Sequence, residues 1–345
     1  MVIAEVAIRQ HESSGNDVAA SFKDFAEANL DNSFATSVVA GMSIFTNACI
    51  LVFGLNRAGE VASSMLGGAM GPTESMLGFA AVLVAIGLTQ SGENMSKICS
   101  ALVMGLFVSF LGLLVPGLAN VHDPMGAFFT PGTCDCGVSE AAPIILMSMV
   151  YQNIVPTVTK ILNYDRVRSV TAIALGSLLP LCLYLAWCFA CIGGGVDVNA
   201  VGAGGALMTA FSISAISGSA IGCAMSLTEE LDSLLPNAEK GIMSQIDRTS
   251  VAVVASVTIP AAIALAYAGS EDFNTALKIA GSYGSPLLYG AVPAAMAWTQ
   301  RERVNGIGEL PSIVPGGSAS LAGLGLASMA LVFQELSIDI ASFFS

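Results

Sequence analysis

The sequence predicts an all-α polytopic membrane protein, and three observations predict it. The 345 residues are 54% hydrophobic and only 11% charged, against about 25% charged in a typical soluble domain. Mean hydropathy is +0.75. The chain also holds nine charge-free stretches of at least 18 residues, close to the ~20 apolar residues that one helix needs to cross a bilayer. A soluble α protein with a large core would need charged faces at helical spacing. These runs are apolar all round, so they face lipid or one another. They lack the period-two alternation of a membrane β-barrel.

The elements follow in order, as one transmembrane domain over 1–345. The opening "MVIAEVAIR" is too short for a span and lacks the basic front of a signal peptide. It reads as the end, 1–9, of a helix whose beginning is absent. In 10–33, Val18, Phe22, Phe25 and Leu30 stand near helical spacing. They predict a short amphipathic helix at the cytoplasmic interface. Spans are expected near 34–58, 75–92, 97–118, 141–162, 169–194, 204–231, 249–269, 276–300 and 316–338.

Basic residues test that threading, because they gather on the cytoplasmic side. With nine spans, one side receives Arg9, Lys23, Lys97, Lys160, Arg166, Arg168, Lys240, Arg248, Arg301 and Arg303, and the other only Arg57 and Lys278. The first segment is therefore expected to be cytoplasmic and the C-terminus outside. The net charge of −13 comes from acids lying between apolar runs, with no basic patch for nucleic acid. Six cysteines, Cys49, Cys99, Cys182, Cys188, Cys191 and Cys223, fall in spans and read as small apolar residues at helix interfaces. Cys134 and Cys136 lie in the outer loop 117–140. A bridge across one residue is strained, and two thiols are too few for a metal site.

One apolar run is interrupted. "VYQNIVPTVTKILNYDR", 150–166, places Tyr151, Gln152 and Asn153 together, with Pro156 three residues on. Proline removes an N–H and frees carbonyls of the preceding turn. Polar backbone at membrane depth is tolerated where it is buried in protein or lines a cavity. The pattern therefore predicts a broken helix that binds a solute, the plainer alternative being a proline kink. In 210–236, Ser212, Ser214, Ser217, Ser219, Gly218 and Gly222 recur at close spacing. Most are expected to let helices approach, with Ser217 and Ser219 as candidates to line an ion path. Glu229, Glu230 and Asp232 read as a solvated helix end. Arg57 and Glu60, at i and i+3, are expected to pair.

These residues carry a resemblance. Residues 151–194 resemble the tryptophan/tyrosine permeases, the aromatic amino acid permease family within the amino acid–polyamine–cation superfamily. The likeness lies in the broken helix ending in Val-Pro, then in Gly176, Ser177, Pro180, Tyr184 and Trp187 of the next helix. "RAGEVASS", 57–64, looks like the end of the family's third helix, and "IAEV", 3–6, like the close of its second. The likeness runs over nearly the whole chain and is most specific across 145–194. It implies a LeuT-like bundle of two inverted five-helix repeats, here without its first helix and most of its second. Residues 141–162 would then open the second repeat. The family commonly carries Gly-Phe-His-Gly where this chain has Tyr151 to Ile154, so no histidine is available there.

The expected function is symport of tyrosine, tryptophan or a related neutral amino acid, with Tyr151, Gln152, Asn153, Pro156, Ser217 and Ser219 as substrate-binding candidates. Expected partners are the amino acid and the lipid bilayer of the plasma membrane or an organelle such as the plastid. No cofactor is expected beyond a coupling ion, H+ or Na+. Glu60 and Glu93, near span ends, are candidates for coupling. No nucleotide-binding loop is present, which argues against ATP drive. The alternatives are a sensor or channel without transport activity, or a carrier of another amino-acid-like solute. An enzyme would need His, Asp, Glu or Cys clustered at one cavity, and the charge-free runs hold no carboxylate.

Overall fold

Apolar runs fold in lipid as helices because a helix satisfies its own backbone hydrogen bonds. The computed structural model describes residues 1–15, 22–30, 33–90, 92–129, 145, 147–148, 155–195, 205–234, 248–266, 273–304 and 313–344. Among these there is no strand. The protein is an all-α polytopic membrane protein.

The helices are α1 (Val2–Ser14), α2 (Phe22–Asn29), α3 (Ser33–Met65), α4 (Pro72–Thr89), α5 (Gly92–Ala119) and α6 (Pro124–Phe129). They continue with α7 (Val155–Ile161), α8 (Arg166–Gly194), α9 (Ala206–Leu234), α10 (Arg248–Ala266), α11 (Phe273–Ile279), α12 (Val292–Val304) and α13 (Gly317–Phe344). Seven of them, α3, α4, α5, α8, α9, α10 and α13, are long and apolar enough to cross a membrane. Between α11 and α12 the helical path continues through two π-helical turns, Ala280–Gly284 and Leu287–Ala291. Only Ile145, Met147, Ser148 and the residues from Val155 onward are described in 141–162.

The chain forms two compact units. The first comprises Met1–Thr46, Cys136–Leu178 and Leu277–Ser345. Its core gathers Ile3, Val6 and Ala7 of α1 with Phe25 of α2, Val155 of α7 and Met296 of α12. The expected interfacial helix is therefore more than a surface anchor: Phe22 and Phe25 of α2 are buried in this core. The apolar face meets protein because α1 and α12 supply a matching surface.

The second unit comprises Asn47–Asp135 and Leu179–Ala276. Here helices approach through glycine. A Cβ on Gly105 of α5 would lie 2.9 Å from Ser214 Oγ of α9, and one on Gly87 of α4 would lie 2.7 Å from Val253 Cγ1 of α10. Gly218 and Gly222 of α9 face open space instead, so of the small residues expected to mediate packing, Ser214 does so and these two do not. Val108 and Val115 on α5, and Leu185 and Ile192 on α8, are exposed apolar side chains, the surface that lipid covers.

Candidate functional site

Tyr151, Gln152 and Asn153, and with them the expected helix break, lie outside the described residues. Pro156 is the second residue of α7 and is buried, and its carbonyl accepts a 2.7 Å hydrogen bond from Thr159 Oγ1. Val155 beside it is 2% exposed and belongs to the core of the first unit.

Against Met147 the first unit places its irregular helix. Pro286 and Pro293 lack an N–H and would crowd the carbonyls of a regular α-helix. The turn before each is widened. Ser285 N–H reaches back five residues to Ala280 O, and Val292 N–H reaches back five to Leu287 O. Such π turns frequently mark functional sites. Around them the packing is very close. A Cβ on Gly284 would fall 2.2 Å from Thr46 Oγ1 of α3, and one on Gly290 would fall 2.0 Å from Ser328 Oγ of α13. Ser285 Oγ donates to Met147 Sδ at 3.2 Å. The hydroxyls of Thr46, 1% exposed, and Ser282, 5% exposed, have no hydrogen-bond partner among the described residues. Buried polar groups normally find partners. The two hydroxyls and the widened turns together offer oxygens that a bound solute or ion would satisfy. Sequence reading missed this layer. The signal was the density of Gly, Ser and Pro in "AGSYGSPLLYGAVP", 280–293.

A second polar cluster of the first unit is ionic. Glu5 of α1 is fully buried. Arg301 of α12 donates to it from Nε at 2.8 Å and from Nη2 at 2.9 Å. The backbone N–H groups of Ile313 and Val314 donate at 2.9 and 3.0 Å. Arg9 Nε stands 3.4 Å away. Beside it, Gln300 Nε2 donates to Val6 O at 3.0 Å and to Asn29 Oδ1 at 2.5 Å. Four hydrogen bonds and two guanidinium groups offset the desolvation of the carboxylate. At the other end of the irregular helix, Lys278 pairs with Glu335 of α13 at 3.3 Å and Tyr283 OH donates to Asp339 at 2.5 Å. Carboxylates thus enter the helical region where α13 runs past the charge-free stretch.

Ser217 and Ser219 belong to the second unit, on α9. Ser217 is half-buried and Ser219 is exposed, with its hydroxyl bonded to the Cys223 thiol. Two other expectations need correction. Glu230 is 2% exposed rather than solvated, and Asp232 is tied to Arg248 at 3.0 Å, because the start of α10 packs there. Cys182 and Cys188 are exposed rather than at helix interfaces. Cys134 and Cys136 lie outside the described residues. Arg57 and Glu60 do pair, at 2.6 Å, and Glu93 pairs with Lys97 at 2.8 Å.

The sequence matches the profile of the tryptophan/tyrosine permease family over residues 1–203 and 196–332. The chain belongs to the tryptophan/tyrosine permease family. The two matched stretches reach from α1 into α13, so the match takes in residues of both compact units. Membership makes this permease an amino acid transporter, set in a membrane as a multi-pass protein. No curated protein matches the chain.

Proposed function

We propose that the protein is a secondary active transporter that carries tyrosine, tryptophan or a related neutral amino acid by alternating access. The observation that carries this reading is the family match across residues 1–332. The irregular helix of the first unit supports it. Twin π turns beside buried hydroxyls that have no partner among the described residues suit a site that must bind a polar solute and release it. Tyr151, Gln152, Asn153, Pro156, Ser217 and Ser219 are proposed to bind the substrate, the first four through main-chain and side-chain groups and the two serines through hydroxyls that also suit an ion path. The coupling ion is proposed to be H+ or Na+. For H+ the described carboxylates with protein partners that shifting helices would alter include Glu5, Asp232, Glu335 and Asp339. Glu60 and Glu93 sit in simple pairs within one helix.

The test is uptake of labelled tyrosine and tryptophan into proteoliposomes, with pH and sodium gradients imposed separately. Saturable uptake driven by one gradient is expected, and Asn153→Leu at normal expression is expected to abolish it. Passive flux that no gradient can concentrate would identify a channel. Absence of flux with retained binding would identify a sensor.

A further inference from the structure

The second unit contains a cavity of about 210 Å³ between α4, α5, α9 and α10. Its walls are apolar, with Leu83 and Ile86 of α4, Ile221 of α9, and Val253 and Val257 of α10. One end is polar, formed by Gln90, Thr228 and Glu229. That end lies where α4 and α9 finish and α5 and α10 begin, so it faces a membrane surface rather than the bilayer centre.

The polar end, which Thr249 also lines, offers more acceptors than donors. Thr228 Oγ1 donates to Ser256 Oγ at 3.0 Å or to Ala224 O at 2.7 Å, and Ser256 Oγ donates onward to Val253 O at 2.9 Å. The hydroxyl protons are spent inside the protein, and the lone pairs of Thr228 remain. Gln90 Nε2 points to Thr89 Oγ1 at 3.3 Å, leaving its carbonyl oxygen as an acceptor. Glu229 adds a carboxylate. The nearby cations are engaged elsewhere: Lys97 with Glu93 and Arg248 with Asp232. No ion pair involves Glu229 among the described residues. An acceptor-rich end with an unmatched carboxylate calls for a cation that also donates hydrogen bonds.

We propose that this cavity binds a primary ammonium group carried on an apolar stem, with the ammonium at Glu229 and Thr228 and the stem between α4 and α10. The volume decides the stem's size. At ~30 Å³ per water-sized group, 210 Å³ holds roughly seven such groups. That matches a short alkyl or single-ring amine, or the first part of an aminophospholipid. The site lies wholly in the second unit, and the irregular helix belongs to the first, so it does not depend on the transport reading.

Full-length protein in phosphatidylcholine nanodiscs would be titrated with hexylamine, hexanol and hexanoate, following the melting temperature. A ligand that binds the folded state raises it. Hexylamine is expected to stabilise the wild type, and hexanol and hexanoate are not. Glu229→Gln, which removes the charge, should weaken the apparent hexylamine affinity about tenfold or more. Ala224→Phe keeps the carboxylate and fills the cavity, so it covers the case in which Glu229→Gln folds poorly, and it should weaken affinity as much. An equal response to hexanol, or a wild-type response in Ala224→Phe, overturns the proposal. Native mass spectrometry from discs containing phosphatidylethanolamine separates the two sources. A retained lipid adduct that Ala224→Phe loses assigns the site to lipid. Stabilisation by hexylamine with no adduct assigns it to a free amine.

Discussion

The two compact units of this permease use the same apolar alphabet differently. The second is built from long, regular helices brought close by glycine, as at Gly87 and Gly105, with ion pairs such as Arg248–Asp232 at helix ends. The first places its irregularities inside. A carboxylate is fully buried at Glu5, two π turns interrupt one helix, and the buried hydroxyls of Thr46, Ser169 and Ser282 have no partner among the described residues; the second unit buries Glu230 and leaves Ser75 Oγ in the same condition. Small-residue packing stabilises helices in lipid without a hydrophobic driving force between them. Buried polar groups and widened turns instead weaken regular structure, and they persist where the surroundings over-determine them. What separates the units among the described residues is the widened turns, which only the first has.

The strongest attempt to break that contrast is at Glu5. Replacing it by alanine leaves Arg301 and Arg9 without their carboxylate and leaves the N–H groups of Ile313 and Val314 without an acceptor. Removing one partner of a buried pair costs about 3–5 kcal/mol. Glu5→Ala is therefore expected to lower the melting temperature in detergent sharply and to cut the yield of monodisperse protein. Glu5→Gln keeps hydrogen-bonding capacity and should lose less. A Glu5→Ala protein as stable as wild type would remove the claim that this cluster ties α1 to α12.

The next test is at the π turns. Gly284→Ala puts a methyl group 2.2 Å from Thr46 Oγ1. Overpacking of this kind costs about 1–3 kcal/mol. Thr46→Ala takes away the clashing oxygen, so the double variant should recover part of the loss, with a coupling of roughly 0.5 kcal/mol or more. Additive losses would show that the two residues do not meet. If the layer also serves transport, Gly284→Ala should lower uptake of the labelled amino acid beyond its loss of folded protein, and Thr46→Ala should change the apparent substrate affinity.

The same contrast marks what was legible in the sequence. Charge-free stretches such as 98–122 predict helices in lipid because hydropathy is a local sum, and α5 follows it. Residues 279–300 also predict a helix, but the widening before Pro286 and Pro293 depends on how the chain relieves a missing N–H, which hydropathy does not register. Glu5 is one acid in a short apolar segment, and its burial depends on Arg301, almost 300 residues away. Glu230 looked solvated because its neighbours are acidic, yet α9 turns it inward. Pairs within one turn, as at Arg57–Glu60, were legible because helical spacing alone decides them. Long-range partners leave no such local trace.

That last pair supplies the mildest test. Arg57 Nη1 and Glu60 Oε2 are 2.6 Å apart, a closer approach than that of Arg9 to Glu5. If distance set the contribution, Arg57→Ala would be severe. Exposure decides otherwise. The Arg57 and Glu60 side chains are 36% and 39% exposed, against 1% for Glu5. Water or headgroups can solvate either charge once its partner is gone, and exposed pairs contribute about 0–1 kcal/mol. Arg57→Ala should therefore shift the melting temperature only slightly, and less at high salt, because screening already weakens the pair. A loss comparable to that of Glu5→Ala would mean that this end of α3 is buried in the working transporter, and would make Arg57 a structural element of the second unit.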